Sequence, residues 1–273
     1  MTISASQVKE LREKTGLGLM DCKKALEEAK GDMDLAIEEL RKKSGVKASK
    51  KSGRSAADGL IGILNNGQDS FMIEVNCETD FVARDESYIQ FTEESLKTYA
   101  DNSDKSLEQL LEEGIEANRE KLVQKLGENI VVRRVARTKD SSITGSYLHS
   151  NNKIGCIVSL EGGSESLAND IAMHAAATDP MAVSPSDIPK DIVDKEREIF
   201  KAQSEDSGKP PEIVEKMIEG KVSKFLSEVS LTEQDFVKDP NQKISKLLQD
   251  NNAHILSFVR YEVGEGIEVE KVD

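Results

Sequence analysis

Apolar residues along this chain follow three rhythms, and each change of rhythm marks a boundary. The first is helical. Val8 and Leu11, then Ala25 and Leu26, then Met33, Ile37 and Leu40 recur every three or four positions. Ser4 and Gln7 have the spacing of a capping box, Thr15-Gly16 and Lys30-Gly31 stop the first two helices, and Asp32 can cap a third. The pattern predicts a three-helix bundle over 1–43, too small to be more than marginal alone. Leu19 and Met20 lie in an apolar turn after Gly16 and fit two roles equally, bundle core or docking knob.

The second rhythm is that of strands. Apolar blocks at 59–64 and 71–76 flank Asn65-Asn66-Gly67, a hairpin signal. Blocks at 145–149 and 154–160 flank Ser150-Asn151-Asn152 in the same way, and helical sequence follows each pair, at 80–100 and 165–177. This is an internal repeat of a hairpin-plus-helix unit, in which helices cover one sheet face. Between the copies, 106–126 reads as a charged amphipathic helix and 129–136 as a strand. The third rhythm begins after Pro180. Ile192, Val193, Ile199 and Phe200 precede a break at Ser207-Gly208-Lys209-Pro210-Pro211, and Ile213, Met217, Ile218, Val222 and Phe225 follow it. Two helices with one apolar seam predict an antiparallel hairpin that projects as an arm. A last strand is expected at 255–263.

The resulting fold class is α+β: an N-terminal three-helix bundle, a duplicated hairpin-plus-helix core with antiparallel sheets, and a protruding helical hairpin. The expected division is bundle 1–43, basic linker 44–57, first core subdomain 58–140, second core subdomain 141–187 with 228–263, hairpin 188–227 and tail 264–273. A chain of 273 residues has room for two or three such units.

Composition narrows the function. Charged residues make up 32% and aromatic residues 4%, a mix that suits helices with solvated faces. The net charge of −14 argues against nucleic-acid binding over the whole surface. Arg41, Lys42, Lys43, Lys47, Lys50, Lys51 and Arg54 form an exception, with no acidic residue among them. Such a run can bind phosphate, but no aromatic residue interleaves, and a flexible tether is the favoured reading. No apolar run approaches a membrane span and no secretory signal opens the chain. Cys22, Cys77 and Cys156 are few and scattered, which fits a reducing, cytoplasmic setting.

A search for reaction chemistry finds little. His149, His174 and His254 lack metal-ligand spacing with another His or Cys. His174, among small residues, reads as a packing histidine, and Cys77 has no evident activating base. Phosphate-cradling glycine loops are absent, and Glu265 between Gly264 and Gly266 suits phosphate poorly. No catalytic residue, metal site or cofactor is expected. The most informative stretch is Thr79-Asp80-Phe81-Val82-Ala83-Arg84, just after a strand and at a helix start. Thr79 or Asp80 suits a cap. Phe81 is either ordinary core or an exposed ring that wedges into a partner.

The motifs taken together resemble the bacterial translation elongation factor Ts family over nearly the whole chain. The resemblance is carried by 8–16 with Leu19-Met20-Asp21-Cys22-Lys23-Lys24-Ala25-Leu26, by Glu74-Val75-Asn76-Cys77-Glu78-Thr79-Asp80-Phe81-Val82-Ala83, by Gly127-Glu128-Asn129-Ile130 with Arg133-Arg134, and by 258–267. It implies an N-terminal domain of the ubiquitin-associated type and a protruding coiled coil. It also implies a guanine nucleotide exchange factor that binds elongation factor Tu, GDP-bound or nucleotide-free, and drives GDP release without covalent chemistry. Thr79, Asp80, Phe81 and Val82 would then disturb the Mg²⁺ and phosphate site of that GTPase, with Phe81 as the wedge. Leu19 and Met20 would dock on its nucleotide-binding domain, and His149 would face another domain. Neither direct nucleic-acid binding nor a membrane is implied, and the oligomeric state is left open. Two departures stand out: Gln234-Asp235-Phe236 replaces a common Gln-Pro-Phe, which should loosen that turn, and the chain ends at Asp273, where many relatives continue into another helical segment. Alternatives from the residues alone are a non-exchange protein-binding adaptor, ribosome- or RNA-associated, and, more remotely, a thiol enzyme using Cys77.

Overall fold

Strand β2 (Ser70–Cys77) is buried along its entire length, because both of its faces are covered. Successive side chains of a strand point to opposite faces. Phe71, Ile73, Val75 and Cys77 therefore enter one apolar cluster, while Met72 enters another with Ile61, Ile157 and Tyr261. The computed structural model that shows this describes residues 3–67, 69–138, 143–204 and 210–268.

In the first half, β1 (Asp58–Asn65) and β3 (Val131–Arg137) flank β2 in an antiparallel sheet of order β1-β2-β3. Its outer face is covered by α4 (Asp80–Ala83), α5 (Glu86–Asp101), α6 (Leu107–Leu110) and α7 (Glu116–Leu126). The second half repeats the plan. Strands β4 (Ile143–Leu148) and β5 (Ile154–Glu161) pair antiparallel, and β8 (His254–Glu262) completes the order β4-β5-β8. Helix α8 (Glu165–Thr178) covers this sheet, with β6 (Asp235–Phe236), β7 (Asp239–Lys243) and α11 (Ile244–Asp250) beside it. The two sheets meet face to face. Gly155 is required there, because a Cβ at that position would stand 2.7 Å from Ile61 Cγ2. The expected duplicated α+β core is what the chain adopts.

A charged residue lies between the sheets. Glu74 is fully buried on the same face as Met72. Its carboxylate pairs with Arg133 and Arg134 and accepts the Gly264 N–H at 2.9 Å. Adjacent strand residues normally point apart, but a register shift between Glu74 and Val75 sets two residues against one. This bulge turns both guanidinium groups toward one carboxylate. Arg134 also donates to the Glu262 carbonyl at 3.1 Å and lies 4.0 Å from the Tyr261 ring centroid. The last strand is thereby fastened to the first sheet.

Helices α1 (Ala5–Thr15), α2 (Leu19–Glu28) and α3 (Met33–Lys51) form the N-terminal bundle around Leu11, Cys22, Leu26, Ala36 and Leu40. The Ser4–Gln7 capping box and the Asp32 cap are both formed. The basic segment expected as a tether from residue 44 differs. Helix α3 continues to Lys51, because Ser44 and Ala48 are buried and the Ser44 hydroxyl bonds the Gln124 side chain of α7. Several cations of the basic run are engaged within the chain: Lys42 with Glu38 at 2.9 Å, Lys43 with Glu28, Lys47 with Asp21 at 3.5 Å and Lys51 with the Gly127 carbonyl.

Two expected helices are interrupted. The stretch 80–100 breaks after α4, where the Asp85 side chain accepts the Ser87 N–H at 2.8 Å and caps α5. The stretch 106–126 carries a wider turn at Leu111–Ile115, because Gly114 adopts φ +142°. Helices α9 (Lys190–Ala202) and α10 (Pro211–Val229) pack on each other. Helix α9 buries no residue and α10 buries only Ile218 and Val222. The expected break at 207–211 lies outside the described residues up to 209, as does the tail from 269. At the Gln-Asp-Phe departure, Asp235 pairs with Lys243 in β6–β7. Gln234 bonds His174 and Thr178, each at 2.9 Å, and the Glu228 carbonyl at 2.7 Å. The Gln234 side chain orders this segment.

Candidate functional site

Strand β2 ends at Cys77 and the chain turns through Glu78 and Thr79 into the single helical turn α4. Thr79 is the N-cap, and its hydroxyl accepts the Val82 N–H at 3.5 Å. Four residues cannot sustain a helix by themselves, so neighbours hold this corner. From the inside, the Cys77 thiol donates to the Thr79 carbonyl at 3.2 Å, and the Tyr88 hydroxyl of α5 donates to the Val75 carbonyl at 2.7 Å. From the outside, Glu128 accepts the Glu78 and Thr79 N–H groups at 3.0 Å each and the Thr79 hydroxyl at 2.6 Å.

The corner presents Phe81, which is 82% exposed. A large ring held in water on a fixed corner has the form of an interface anchor, the aromatic type enriched at binding hot spots. Beside it, Asp80 is partly exposed and pairs with Arg84 at 3.0 Å. Val82, grouped with these residues by the resemblance, is buried and belongs to the first core cluster. The reason is helical geometry: on one turn, Phe81 and Val82 point in different directions, so one must anchor while the other projects.

Leu19 and Met20, open between two roles on sequence, are 53% and 73% exposed in the first turn of α2. Leu17, two residues earlier, fills the bundle core in their place. The α1–α2 turn, at Thr15 and Leu17, shares a crevice of about 220 Å³ with Ser87 and Gln90 of α5 and Lys121 of α7. His149 stands elsewhere, exposed just after β4, with Nδ1 2.8 Å from Asn151 Oδ1. Its hairpin is fastened to β1: Ile61 N–H donates to the Asn152 carbonyl at 2.8 Å, and Lys153 reaches Asp58 and the Gly59 carbonyl. Asp58 pairs with Cys77 across β1 and β2, so this hairpin abuts the strand end that leads into the corner.

The thiol and imidazole candidates are structural. Cys77 is fully buried, and burial pushes its thiol up to about 11. At neutral pH its thiolate fraction is then on the order of 10⁻⁴, far too low for a nucleophile. Iodoacetamide is expected to spare Cys77 in the folded chain and to label it after denaturation. Peptide mapping would read this, and rapid labelling of the native chain would contradict the burial. His174 is buried, which lowers its pKa. Its Nδ1 accepts the Val237 N–H at 3.2 Å, so the proton sits on Nε2, which donates to Gln234. Among the described residues, no group of three or more His, Cys, Asp and Glu is placed to hold a metal ion. None of the described helices is long and apolar enough to cross a membrane.

Residues missed at the level of single motifs are Tyr88 and Glu128. The block Gly127-Glu128-Asn129-Ile130 was visible, but a bond between residues 49 positions apart has no local signal.

A ring projecting from a braced corner, with further apolar side chains exposed on the bundle, suits a protein that works by binding another protein. Comparison with known sequences agrees. The profile described as Elongation factor TS matches residues 78–265. An elongation factor Ts of Hahella chejuensis is 53% identical over 273 residues, covering 99% of this chain and 95% of the relative. Those of Marinobacter nauticus and Francisella tularensis subsp. novicida are 51% and 49% identical, each over 99% of this chain and 94% and 95% of the relatives. This chain belongs to the elongation factor Ts family, the guanine nucleotide exchange factors of protein biosynthesis.

Proposed function

We propose that this chain binds elongation factor Tu in its GDP form and promotes GDP release by pressing the Phe81 corner against the Mg²⁺ and phosphate site of that GTPase. The observation that carries the reading is Phe81, exposed on a corner braced from both sides. Mg²⁺ demands near-octahedral geometry, so a small displacement of the loop that holds it weakens both metal and phosphate binding. No covalent bond changes. The factor acts by preferring the nucleotide-free GTPase, and linkage makes the two ligands weaken each other equally. The setting of this reaction is the cytoplasm.

A 10⁴-fold weakening of GDP needs about 5.5 kcal/mol of differential binding, whereas one buried Phe supplies about 1.5–3 kcal/mol. Further footholds are needed. In this reading they are Leu19 and Met20 on the bundle, 1–43, and His149 on the second core subdomain, with Thr79 and Asp80 beside the ring and Val82 as its anchor. The direct test is release of a fluorescent GDP from elongation factor Tu. Substoichiometric amounts of the chain should accelerate it, and an unchanged rate at saturating chain would end the proposal.

The bundle foothold makes its own prediction. Leu19→Ala with Met20→Ala is expected to weaken the complex by about tenfold, typical of truncating interface anchors. The melting temperature should hold, because both side chains already face water. Titration calorimetry and a thermal melt check the pair, and a large drop in Tm would show them to be structural. Deleting 1–43 is a poorer test, since the cut falls inside α3 and leaves only its end, 44–51, which carries the Ser44 contact with Gln124 of α7, without the rest of its helix.

A further inference from the structure

We infer that Glu128 is a positioning residue for exchange: it holds the Glu78–Thr79 backbone rigid so that Phe81 meets its target at a fixed angle. The inference deepens the exchange reading above and rests on it.

The bracing is built as a clasp. Helix α7 ends at Gly127, whose φ of +80° turns the chain back. Glu128 then faces the corner with both oxygens engaged. One accepts two consecutive backbone N–H groups, and the other accepts the Thr79 hydroxyl. The contact is reciprocal, since the Glu78 side chain accepts the Asn129 N–H at 2.6 Å. Arg54 approaches Glu78 at 3.5 Å and offsets the pair of like charges. Asn129 is itself buried and donates to the Arg54 carbonyl at 2.8 Å. Behind the turn, Ile130 is fully buried in the first core cluster. The clasp is therefore anchored in the core.

This arrangement matters because α4 is one turn long and stands where the chain leaves a strand. A wedge transmits force only if its base does not yield. Without Glu128, two N–H groups and a hydroxyl at that base lose their partner together, and the corner is free to tilt with the ring on it. Misplacement of a reacting group by about 1 Å can cost about a hundredfold in rate. Glu128 touches neither nucleotide nor metal in this scheme and acts only through the corner.

The test is steady-state exchange of fluorescent GDP on elongation factor Tu with the full chain and four variants: Phe81→Ala, Glu128→Ala, Glu128→Gln and the double Glu128→Ala/Phe81→Ala. Glu128→Ala is expected to lower kcat about tenfold with KM within about twofold. Glu128→Gln should recover most of the loss, because its amide oxygen still accepts the two N–H groups. The double variant should be no slower than Phe81→Ala alone, since a clasp without its ring has nothing to position. A rise in KM alone, full multiplication of the two effects, or a Gln variant as slow as Ala would each overturn the inference. If Phe81→Ala exchanges at the normal rate, the exchange reading fails and takes the clasp with it. If Phe81→Ala is slow while Glu128→Ala is normal, the clasp alone fails. Should Glu128→Ala not fold, Glu128→Asp keeps the charge but is too short to hold the Glu78–Thr79 N–H groups and the Thr79 hydroxyl together, and is judged by the same kcat and KM criteria.

Discussion

Replacing Phe81 by alanine is expected to slow GDP release from elongation factor Tu by about tenfold to a hundredfold, the kinetic equivalent of the burial energy of one phenyl ring. Binding to the nucleotide-free GTPase should fall less, because other contacts share that energy. The fold should not notice: the ring is 82% exposed, so its removal opens no cavity and the Tm should stay within a degree or so of the parent. Stopped-flow release and a thermal melt on the same preparation separate the two effects. A normal release rate would remove Phe81 from the mechanism. A marked loss of Tm would mean that the ring packs against its own chain.

The second large effect is on stability. Glu74→Ala is expected to cost about 3 kcal/mol, the lower end for breaking a buried ion pair. The lower end applies because Arg133 and Arg134 retain 26% and 28% of their side-chain exposure and are partly rehydrated. For a chain of this size the drop in Tm is roughly 6–12 °C. The cost arises from two guanidinium groups and the Gly264 N–H losing their common acceptor at the junction of the two sheets. Replacing Glu74, Arg133 and Arg134 together by apolar residues of similar length should recover much of the loss, since it removes stranded charges as well as the pairing. An unchanged Tm in Glu74→Ala would show that water reaches the site and that the network contributes little.

Much of the architecture was legible because its signals are local. The Ser4–Gln7 box, the Asp32 cap and the duplicated turn-flanked blocks each depend on residues within a few positions, and each formed. The errors fall where a distant partner overrode a local signal. The basic run from Arg41 has the composition of a tether, yet helix α3 persists through it, because α7 offers Ser44 and Ala48 a face to bury against. The stretch 80–100 reads as helical sequence, yet it breaks at Arg84–Asp85, where the chain leaves the corner and Asp85 starts a new cap. At the candidate site, Thr79 was recognisable as a cap from its type and place. Whether Phe81 or Val82 faced the core was not, since both are apolar and adjacent.

By itself the sequence determined the rhythm of helices and strands, the duplicated plan, the absence of a long apolar span among the described helices and the family to which the chain belongs. These depend on spacing, capping chemistry and order along the chain, which need no knowledge of what packs where. Tertiary structure alone decided that Phe81, Leu19 and Met20 face water, that Cys77 and His174 do not, that Glu128 grips a corner 49 residues away, and that a bulge turns Arg133 and Arg134 toward Glu74. Exposure and long-range bonds are properties of the surface left over after every other element has packed, and no window of sequence contains that remainder.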